Sequence, residues 1–334
     1  MLFKIKSLSL LCLLPLLVFG QSNDHSYMAP LASESLLLDI TRNTDNFIVV
    51  GERGHVLRSV NGIDWQQIDV PTLSTLTAVT TLGQNVWVVG HDATILKSTD
   101  SGATWRLQNR NIELEKPLLD VLFFDNNHGI AVGAYGLFLR TQDGGESWQS
   151  ELHAELLNPD DKEYMDELKQ EDEAFYQQEL LSILPNINRV SADGDTLYMA
   201  GESGLLATSI DSGVSWQRMD IDYSGSFFDI QRTKSGRLFA AGLRGNLYEW
   251  QLDKWQALES GSTFTLNSIV SVDLNTSIVL GNNGAIVKIT DDKVKFVQTD
   301  EGKSLINAEM LGDKLLAVSE VGIKNVVIGT SAHE

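Results

Sequence analysis

An all-β protein, a seven-bladed β-propeller, is predicted by three features of this 334-residue chain. A pattern of short apolar runs and tight turns recurs seven times at about 40 residues, which is the usual spacing of propeller blades. Six copies place an aromatic residue 13 to 15 residues after the first Gly of a Gly-x-x-Gly turn, whose last position is Ala93 in the second copy. The apolar runs are too short for helices and are rich in Val, Ile, Leu and Phe, which favours strands.

The copies are most regular in the first half of the chain. They span Leu36–Ile68, Leu76–Leu107, Leu118–Gln149, Ile187–Met219, Phe227–Leu258, Leu266–Gln298 and Leu305–Gly329. The last copy stops after its third strand. We therefore expect Tyr27–Ala32 to supply the outer strand of the last blade and to close the ring, because an open propeller would expose a sheet edge.

A second turn, Ser/Thr-x-Asp-x-Gly-x-Ser/Thr-Trp, marks the end of the second, third and fourth copies. Its Asp, Gly and Trp members are Asp100, Gly102, Trp105, Asp143, Gly145, Trp148, Asp211, Gly213 and Trp216. Asp and hydroxyl side chains at this spacing can bond the amides of their own turn, and Gly allows the turn to close. The Trp begins the fourth strand and can pack between blades. We interpret these residues as structural.

The first twenty residues have the composition of a secretory signal peptide. Lys4 and Lys6 precede an apolar run from Leu8 to Phe19 that is short for a membrane span, and Gly20 offers a cleavage position. We therefore expect residues 1–20 to be removed and residues 21–334 to form one exported propeller domain, most simply in the periplasm. Because Cys12 is the one cysteine of the chain, the mature protein cannot use disulfides.

The charge of the chain excludes some classes of partner. The mature chain keeps 23 basic and 45 acidic residues, so nucleic acid and anionic lipid would be repelled. After residue 20 we find no segment apolar enough to span a membrane, and we expect a soluble or peripheral protein whose partner is another protein.

The turn with Asp, Gly and Trp is the Asp-box found in many secreted propellers, including bacterial sialidases. The fuller pattern of Leu118–Trp148 resembles the repeat of the photosystem II stability/assembly factor family of chloroplasts and cyanobacteria, and of its relatives in non-photosynthetic bacteria. Ser98–Trp105 and Ser209–Trp216 fit the same pattern. The resemblance implies a seven-bladed propeller without catalysis that serves as an assembly scaffold for a membrane protein complex. Photosynthetic members of the family use a basic, Arg-rich patch, whereas this chain is strongly acidic.

An acidic insertion at residues 152–184 interrupts the repeat between blades three and four. It contains ten acidic residues and two lysines. Asn158 and Pro159 followed by two acids are typical of a helix start, and Pro185 is expected to end the helix. We predict a helical arm of about 25 residues whose interrupted apolar face is formed by Met165, Leu168, Phe175, Leu180 and Ile183.

A candidate partner-binding face follows from the order of strands in a four-stranded meander. The insertion should lie on the edge that carries the Gly-x-x-Gly turns, with the Asp-boxes on the opposite edge. The candidate face comprises Arg53, His91, Asp92, Arg110, Tyr135, Glu202, Arg244, Asn283 and Glu320. At any one of these positions a solvated turn residue is the alternative interpretation.

Enzymatic and glycan-binding alternatives receive less support. A sialidase needs three arginines, a Tyr/Glu pair and an acid on six blades, and we find no Arg-Ile-Pro motif before the first box. A glycan-binding Asp-box protein would need exposed aromatics, but Trp65, Trp105, Trp148, Trp216 and Trp255 are assigned to blade packing. The six histidines form no His-x-x-x-His pair, so we predict no catalytic residues, no metal site and no cofactor.

Overall fold

The computed structural model describes residues 25–327, which form seven antiparallel sheets arranged as propeller blades. Six sheets have four strands, and the described part of the seventh has three. The innermost strand of each blade contacts the innermost strand of the next, and the last contacts the first. The prediction of a seven-bladed propeller with a helical insertion is confirmed. The predicted signal peptide, residues 1–20, lies outside the described residues.

The first three blades follow the predicted repeats. Blade 1 comprises β1 (Leu37–Arg42), β2 (Phe47–Gly51), β3 (Val56–Ser59) and β4 (Gln66–Ile68). Blade 2 comprises β5 (Leu76–Leu82), β6 (Asn85–Gly90), β7 (Ile95–Ser98) and β8 (Arg106–Asn109). Blade 3 comprises β9 (Leu118–Phe123), β10 (Gly129–Gly133), β11 (Phe138–Thr141) and β12 (Gln149–Glu151).

The later blades repeat the same meander after two helices, α1 (Pro159–Glu171) and α2 (Glu173–Ile183). Blade 4 comprises β13 (Ile187–Asp193), β14 (Thr196–Gly201), β15 (Leu206–Ser209) and β16 (Gln217–Arg218). Blade 5 comprises β17 (Phe227–Arg232), β18 (Leu238–Gly242), β19 (Leu247–Gln251) and β20 (Lys254–Leu258). Blade 6 comprises β21 (Leu266–Ser271), β22 (Thr276–Gly281), β23 (Ala285–Thr290) and β24 (Lys293–Gln298). Blade 7 comprises β25 (Leu305–Leu311), β26 (Lys314–Ser319) and β27 (Gly322–Val327).

The hydrophobic core lies between neighbouring blades. The second strands are almost fully buried, and each packs its Val, Ile, Leu or Ala side chains against the first strand of the next blade. The aromatic residue of each box packs into the cluster shared with the preceding blade, as Trp105 does beside Ile48 and Val86. Trp255 and Phe296 occupy the same position in the degenerate fifth and sixth copies. Each blade thus buries its two faces against two neighbours.

The insertion forms two helices where the sequence predicted one. Asn158 caps α1, because its side chain accepts a hydrogen bond from the Asp161 amide. Asp172 leaves helical geometry and caps α2 through the Phe175 amide. This second start rotates the apolar face, so Tyr176 is buried while Phe175 is 43% exposed. Within residues 25–327, no helix is long and apolar enough to cross a bilayer.

The prediction that Tyr27–Ala32 forms the outer strand of blade 7 is wrong. This segment is bonded to blade 1 instead: the Ser26 amide donates to the Val70 carbonyl, and the Tyr27 amide donates to the Arg53 carbonyl. The Ala29 amide donates to the Gln67 side chain. With its backbone groups committed to blade 1, the segment cannot form a ladder with β27. A short 3₁₀ turn, Ala32–Glu34, then contacts β27 before β1 begins.

Candidate functional site

One edge of the propeller carries the Gly-x-x-Gly turns and both helices, and we call it the helical edge. The opposite edge carries the Asp-boxes and is called the Asp-box edge. In each Gly-x-x-Gly turn the third residue has positive φ, as at Tyr135 (φ 51°), and its side chain stands at the tip. The preceding Gly133 is extended, but a Cβ there would collide with the carbonyl oxygen of Pro117. Close backbone approach therefore requires the first Gly.

The candidate residues are distributed around this edge rather than gathered in one cluster. Arg53, His91, Tyr135, Arg244, Asn283 and Glu320 are exposed, and Asp92, Arg110 and Glu202 are partly buried. The tip of blade 2 is tied to the residues around it. Asp92 accepts a hydrogen bond of 2.7 Å from Ser74 Oγ, and its carboxylate lies 3.8 Å from the Arg110 guanidinium. Around blade 7, Glu320 lies 3.6 Å from the Lys303 ammonium.

The helices form a hairpin with a small core of its own. Leu157, Met165, Tyr176, Leu180 and Leu184 are buried together. Seven acidic side chains on the two helices are exposed: Asp160, Glu163, Asp166, Glu167, Glu171, Asp172 and Glu173. This exposed surface also carries large apolar side chains, which are Tyr164, Phe175 and Leu181. The hairpin therefore presents an acidic surface with apolar side chains within it.

The base of the hairpin is fixed to the propeller. Lys116 donates from Nζ to the carbonyls of Leu181 (2.7 Å) and Tyr135 (3.4 Å), and burial lowers its pKa. The Gly136 amide donates to the Pro185 carbonyl. These contacts place the hairpin beside Tyr135, on the helical edge.

Arg218 fixes the other end of the insertion. Its Nη1 donates to the Leu156 carbonyl (2.8 Å), and its Nη2 donates to the carbonyls of Ser203 and Gly204. Burial lowers the pKa of this guanidinium. A groove of about 680 Å³ lies between this point and the link from blade 4 to blade 5. With its donors committed to backbone, Arg218 acts as a structural clamp.

The central channel contains residues that the sequence reasoning missed. Each innermost strand has a register shift at the same place, so two consecutive side chains per blade reach the axis. The outer ring, nearer the helical edge, consists of Leu38, Thr77, Leu119, Asn188, Phe228, Asn267 and Ile306. The inner ring consists of Asp39, Ala78, Asp120, Arg189, Asp229, Ser268 and Asn307. The sequence signal that could have found these residues is an Asp inside an apolar strand in copies one, three and five.

The inner ring links the blades electrostatically. Asp39 accepts from the Val79 amide, Asp120 from the Val190 amide and Asp229 from the Ile269 amide, at 2.7–2.8 Å. The guanidinium of Arg189 lies 3.4 Å from Asp120 and 3.6 Å from Asp229. Burial outweighs these contacts and raises the pKa of Asp120 to about 6. Burial also raises the pKa of Asp39 and of Asp229.

The Asp-box residues lie on the Asp-box edge and bond within their own turns. Asp143 accepts from the Ser147 amide (2.9 Å) and hydroxyl (2.5 Å), and the Gly145 amide donates to Thr141 Oγ1 at 2.8 Å. The bonds from Ser147 lower the pKa of Asp143 to about 2. Asp211 has the same arrangement, and bonds from Ser215 lower its pKa to about 2. At Asp100, burial opposes the shift, but bonds from Thr104 lower the pKa.

The described residues hold no group of three or more His, Cys, Asp or Glu side chains placed to bind a metal ion. The oxygens of the three boxes are used by turn amides and hydroxyls, as described for Asp143. The boxes thus have the geometry of structural turns.

Sequence comparison finds a match to a family described as "Photosynthesis system II assembly factor YCF48", over residues 106–224. A "Photosystem II assembly lipoprotein Ycf48" of one strain of Prochlorococcus marinus is 29% identical over 43% of this chain and 49% of that protein. The protein of the same name from a second strain of Prochlorococcus marinus, MIT 9312, is 26% identical over 52% of this chain and 58% of that protein. The chain thus spans about half the length of these curated relatives.

Solved structures resemble the whole propeller. "YCF48 bound to D1 peptide" has a TM-score of 0.67 at 15% identity, covering 92% of this chain and 98% of that one. "YCF48 from Cyanidioschyzon merolae" has a TM-score of 0.64 at 18% identity, covering 88% of this chain and 96% of that one. At these identities the structural likeness concerns the fold.

Fold and turns together define a seven-bladed Asp-box β-propeller with a helical hairpin on one edge. The matched region contains the Asp-boxes of blades 3 and 4. Over residues 106–224 the chain is similar to the photosystem II assembly factor YCF48 family.

Proposed function

We propose that this protein is an exported, non-catalytic protein-binding propeller that acts as an assembly scaffold for a membrane protein complex, in the periplasm. The observation that carries the proposal is the helical hairpin, which is fixed to the propeller at both ends and exposes acidic and apolar side chains. A scaffold needs such a rigidly mounted surface, because pre-organisation lowers the entropic cost of binding. The assembly role of the curated relatives and the peptide-bound solved structure support the same proposal.

The proposed binding surface is the helical edge. It includes the hairpin and the nine candidate residues, of which Tyr135 stands next to α2. Exposed aromatic side chains such as Tyr135, Tyr164 and Phe175 are typical anchors of protein interfaces. The tryptophans of the Asp-boxes, in contrast, are packed between blades.

The experiment replaces residues 159–182 by a short Gly-Ser linker in a tagged full-length chain. The variant keeps Leu156 and Leu184, which anchor the insertion in the propeller. Crosslinking and purification from native envelopes should recover at least ten-fold less of the protein captured by the unchanged chain. Fractionation of the same cells should place the chain outside the inner membrane.

The matched control is Ile210→Ser, on the Asp-box edge, where Ile210 is 82% exposed. This variant should capture the partner as well as the unchanged chain does. Equal capture by the linker variant, with an unchanged denaturation midpoint, would contradict a role for the hairpin. Recovery of free monomer alone from every sample would contradict the scaffold.

A further inference from the structure

The outer ring of the central channel alternates between two kinds of side chain. In the even blades it carries polar residues that bond to the next blade: Thr77 Oγ1 to Leu118 O, Asn188 Nδ2 to Phe227 O, and Asn267 Nδ2 to Leu305 O, at 2.7–2.8 Å. In the odd blades it carries half-buried apolar residues, namely Leu38, Leu119, Phe228 and Ile306. The structure places these four apolar groups around a concave opening at the centre of the helical edge.

This opening has the size of a binding pocket. It encloses about 480 Å³ and is lined by the four apolar residues, with Asn282 and Glu320 at its rim. Ligand pockets usually enclose about 300–1,000 Å³ and combine apolar walls with a few polar groups. Leaving four large apolar side chains in contact with water costs free energy that a bound apolar group would recover.

The floor of the pocket is the guanidinium of Arg189. Its Nη1 donates a long hydrogen bond of 3.4 Å to Asp120, and its Nε is buried 3.6 Å from Asp229. Because 22% of the side chain remains exposed, it can still donate to a neutral acceptor such as a peptide carbonyl. An anionic ligand is disfavoured, because Asp39, Asp120 and Asp229 already surround this cation.

The negative charge around the pocket distinguishes between the possible occupants. Glu320 stands at the rim, and the hairpin beside the helical edge exposes seven acids. The whole chain has a formal net charge of −20, so a second copy of it would be repelled. A segment with positive charges would be attracted by the same field.

We infer that this pocket binds one apolar side chain of the partner protein, presented by a short segment with Lys or Arg on both sides. The apolar side chain enters between Leu119 and Phe228, and a backbone carbonyl of the segment accepts from Arg189. The flanking cations lie over the acidic rim. The inference rests on the proposed function and specifies the chemistry of the partner.

The first test uses synthetic eight-residue peptides and the purified mature chain, with binding measured by fluorescence anisotropy. Peptides with Leu or Phe at the centre and two lysines on each side should bind at least ten-fold more tightly than the same peptides with Ser at the centre. Replacing the lysines by Glu should abolish binding. Equal affinity for the Leu and Ser peptides, or no binding up to millimolar concentration, would overturn the inference.

Pocket variants locate the binding. Leu119→Ser and Phe228→Ser should each weaken the Leu peptide at least ten-fold, whereas Ile210→Ser on the Asp-box edge should leave its affinity unchanged. Each variant is compared only after denaturation shows that it folds. Folded pocket variants that bind normally would overturn the inference.

A second measurement separates this inference from the scaffold proposal. A photo-crosslinking amino acid is placed at Ile306 in the pocket or at Ile210 on the Asp-box edge, in the chain as it occurs in native envelopes. The inference requires a crosslink from position 306 to a peptide with an apolar residue flanked by Lys or Arg. Crosslinks to a partner from position 210 alone would preserve a protein-binding propeller and overturn the pocket assignment.

Discussion

Asn307 and Asp39 join the last blade to the first across the whole length of the domain. Asn307 Nδ2 donates a hydrogen bond of 2.6 Å to Asp39 Oδ1, over a separation of 268 residues. Asp39 also accepts from the amides of Ile40 and Val79, so blades 7, 1 and 2 meet at one buried carboxylate. This bond therefore helps to close the ring from inside the channel. The predicted outer strand at Tyr27–Ala32 does not contribute to the closure, because it does not form.

Asn307→Ala should therefore weaken the closure of the ring. The substitution removes a donor from a buried carboxylate, which typically costs about 1–3 kcal/mol. Urea denaturation should show a lower free energy of unfolding, and hydrogen exchange should accelerate first in β1 and β25. The control Asn325→Ala lies on the exposed side of β27 and should change stability by less than about 0.5 kcal/mol. Equal effects of the two substitutions would contradict this role.

Glu309 should make stability depend on pH. Burial, and next the neighbouring Asp39 carboxylate, raise the pKa of Glu309 to about 7 from an ordinary 4.5. The folded state thus favours the protonated form. Its stabilising contribution is fully present below pH 4.5 and is lost as the pH rises through about 7.

Glu309→Gln tests the direction of this pH dependence, because Gln stays uncharged at every pH. At pH 8 the variant should be more stable than the unchanged chain by about 1–3 kcal/mol, and at pH 4.5 the two should be equal. Chemical denaturation from pH 4.5 to 8 measures the difference. The exposed Glu113 provides a control, since Glu113→Gln should show no such trend. If the Gln variant were less stable than the unchanged chain at pH 8, burial of the charged Glu309 could not be destabilising.

Much of the fold could be predicted because its signals are local and repeated. The turn from Thr141 to Trp148 bonds within itself, so its geometry is encoded in consecutive residues. The channel could not be predicted in this way, because Arg189 meets Asp120 and Asp229 from other blades. Such a ring depends on the register of three strands and on a bulge that no single copy reveals.

The insertion shows the same distinction between local and non-local signals. The helix start at Asn158 was predicted from its cap and the following Pro. The break at Asp172 was missed, although an Asp is also a good cap, because nothing in the local pattern favours stopping over continuing. The hairpin folds back because Tyr176 and Leu180 pack against Met165. The order of strands in each blade predicted that the nine candidate residues lie on the helical edge, and their role in binding stays a prediction.

Trp87 should be important for the contact between blades 2 and 3. Its ring is fully buried and stacks on Phe123, with centroids 3.6 Å apart, and its Nε1 donates to the Gly144 carbonyl at 2.9 Å. Trp87→Phe keeps the stacking but leaves that carbonyl without its donor and opens a small cavity. A loss of about 2–4 kcal/mol is expected in denaturation experiments. Trp250→Phe, at a half-buried site, should cost clearly less, and the opposite order would contradict the contact's importance.

Lys116 should control how firmly the helical hairpin is held. Lys116→Met keeps most of the aliphatic stem but removes the hydrogen bonds to the Leu181 and Tyr135 carbonyls and the contact with the Tyr135 ring. The amides of α2 should then exchange faster, while the global free energy of unfolding changes by less than about 1 kcal/mol, because the contacts are local.

The control for this prediction is Lys162→Met on the exposed surface of α1, which removes the same charge from the insertion without touching its base. Hydrogen exchange followed by mass spectrometry compares the two variants peptide by peptide. If both substitutions accelerate hydrogen exchange in α2 equally, the loss of charge is responsible and the hydrogen bonds of Lys116 are not. If Lys116→Met alone does so, its partner capture should also fall, since a hairpin that is loose at its base loses the pre-organisation on which binding depends.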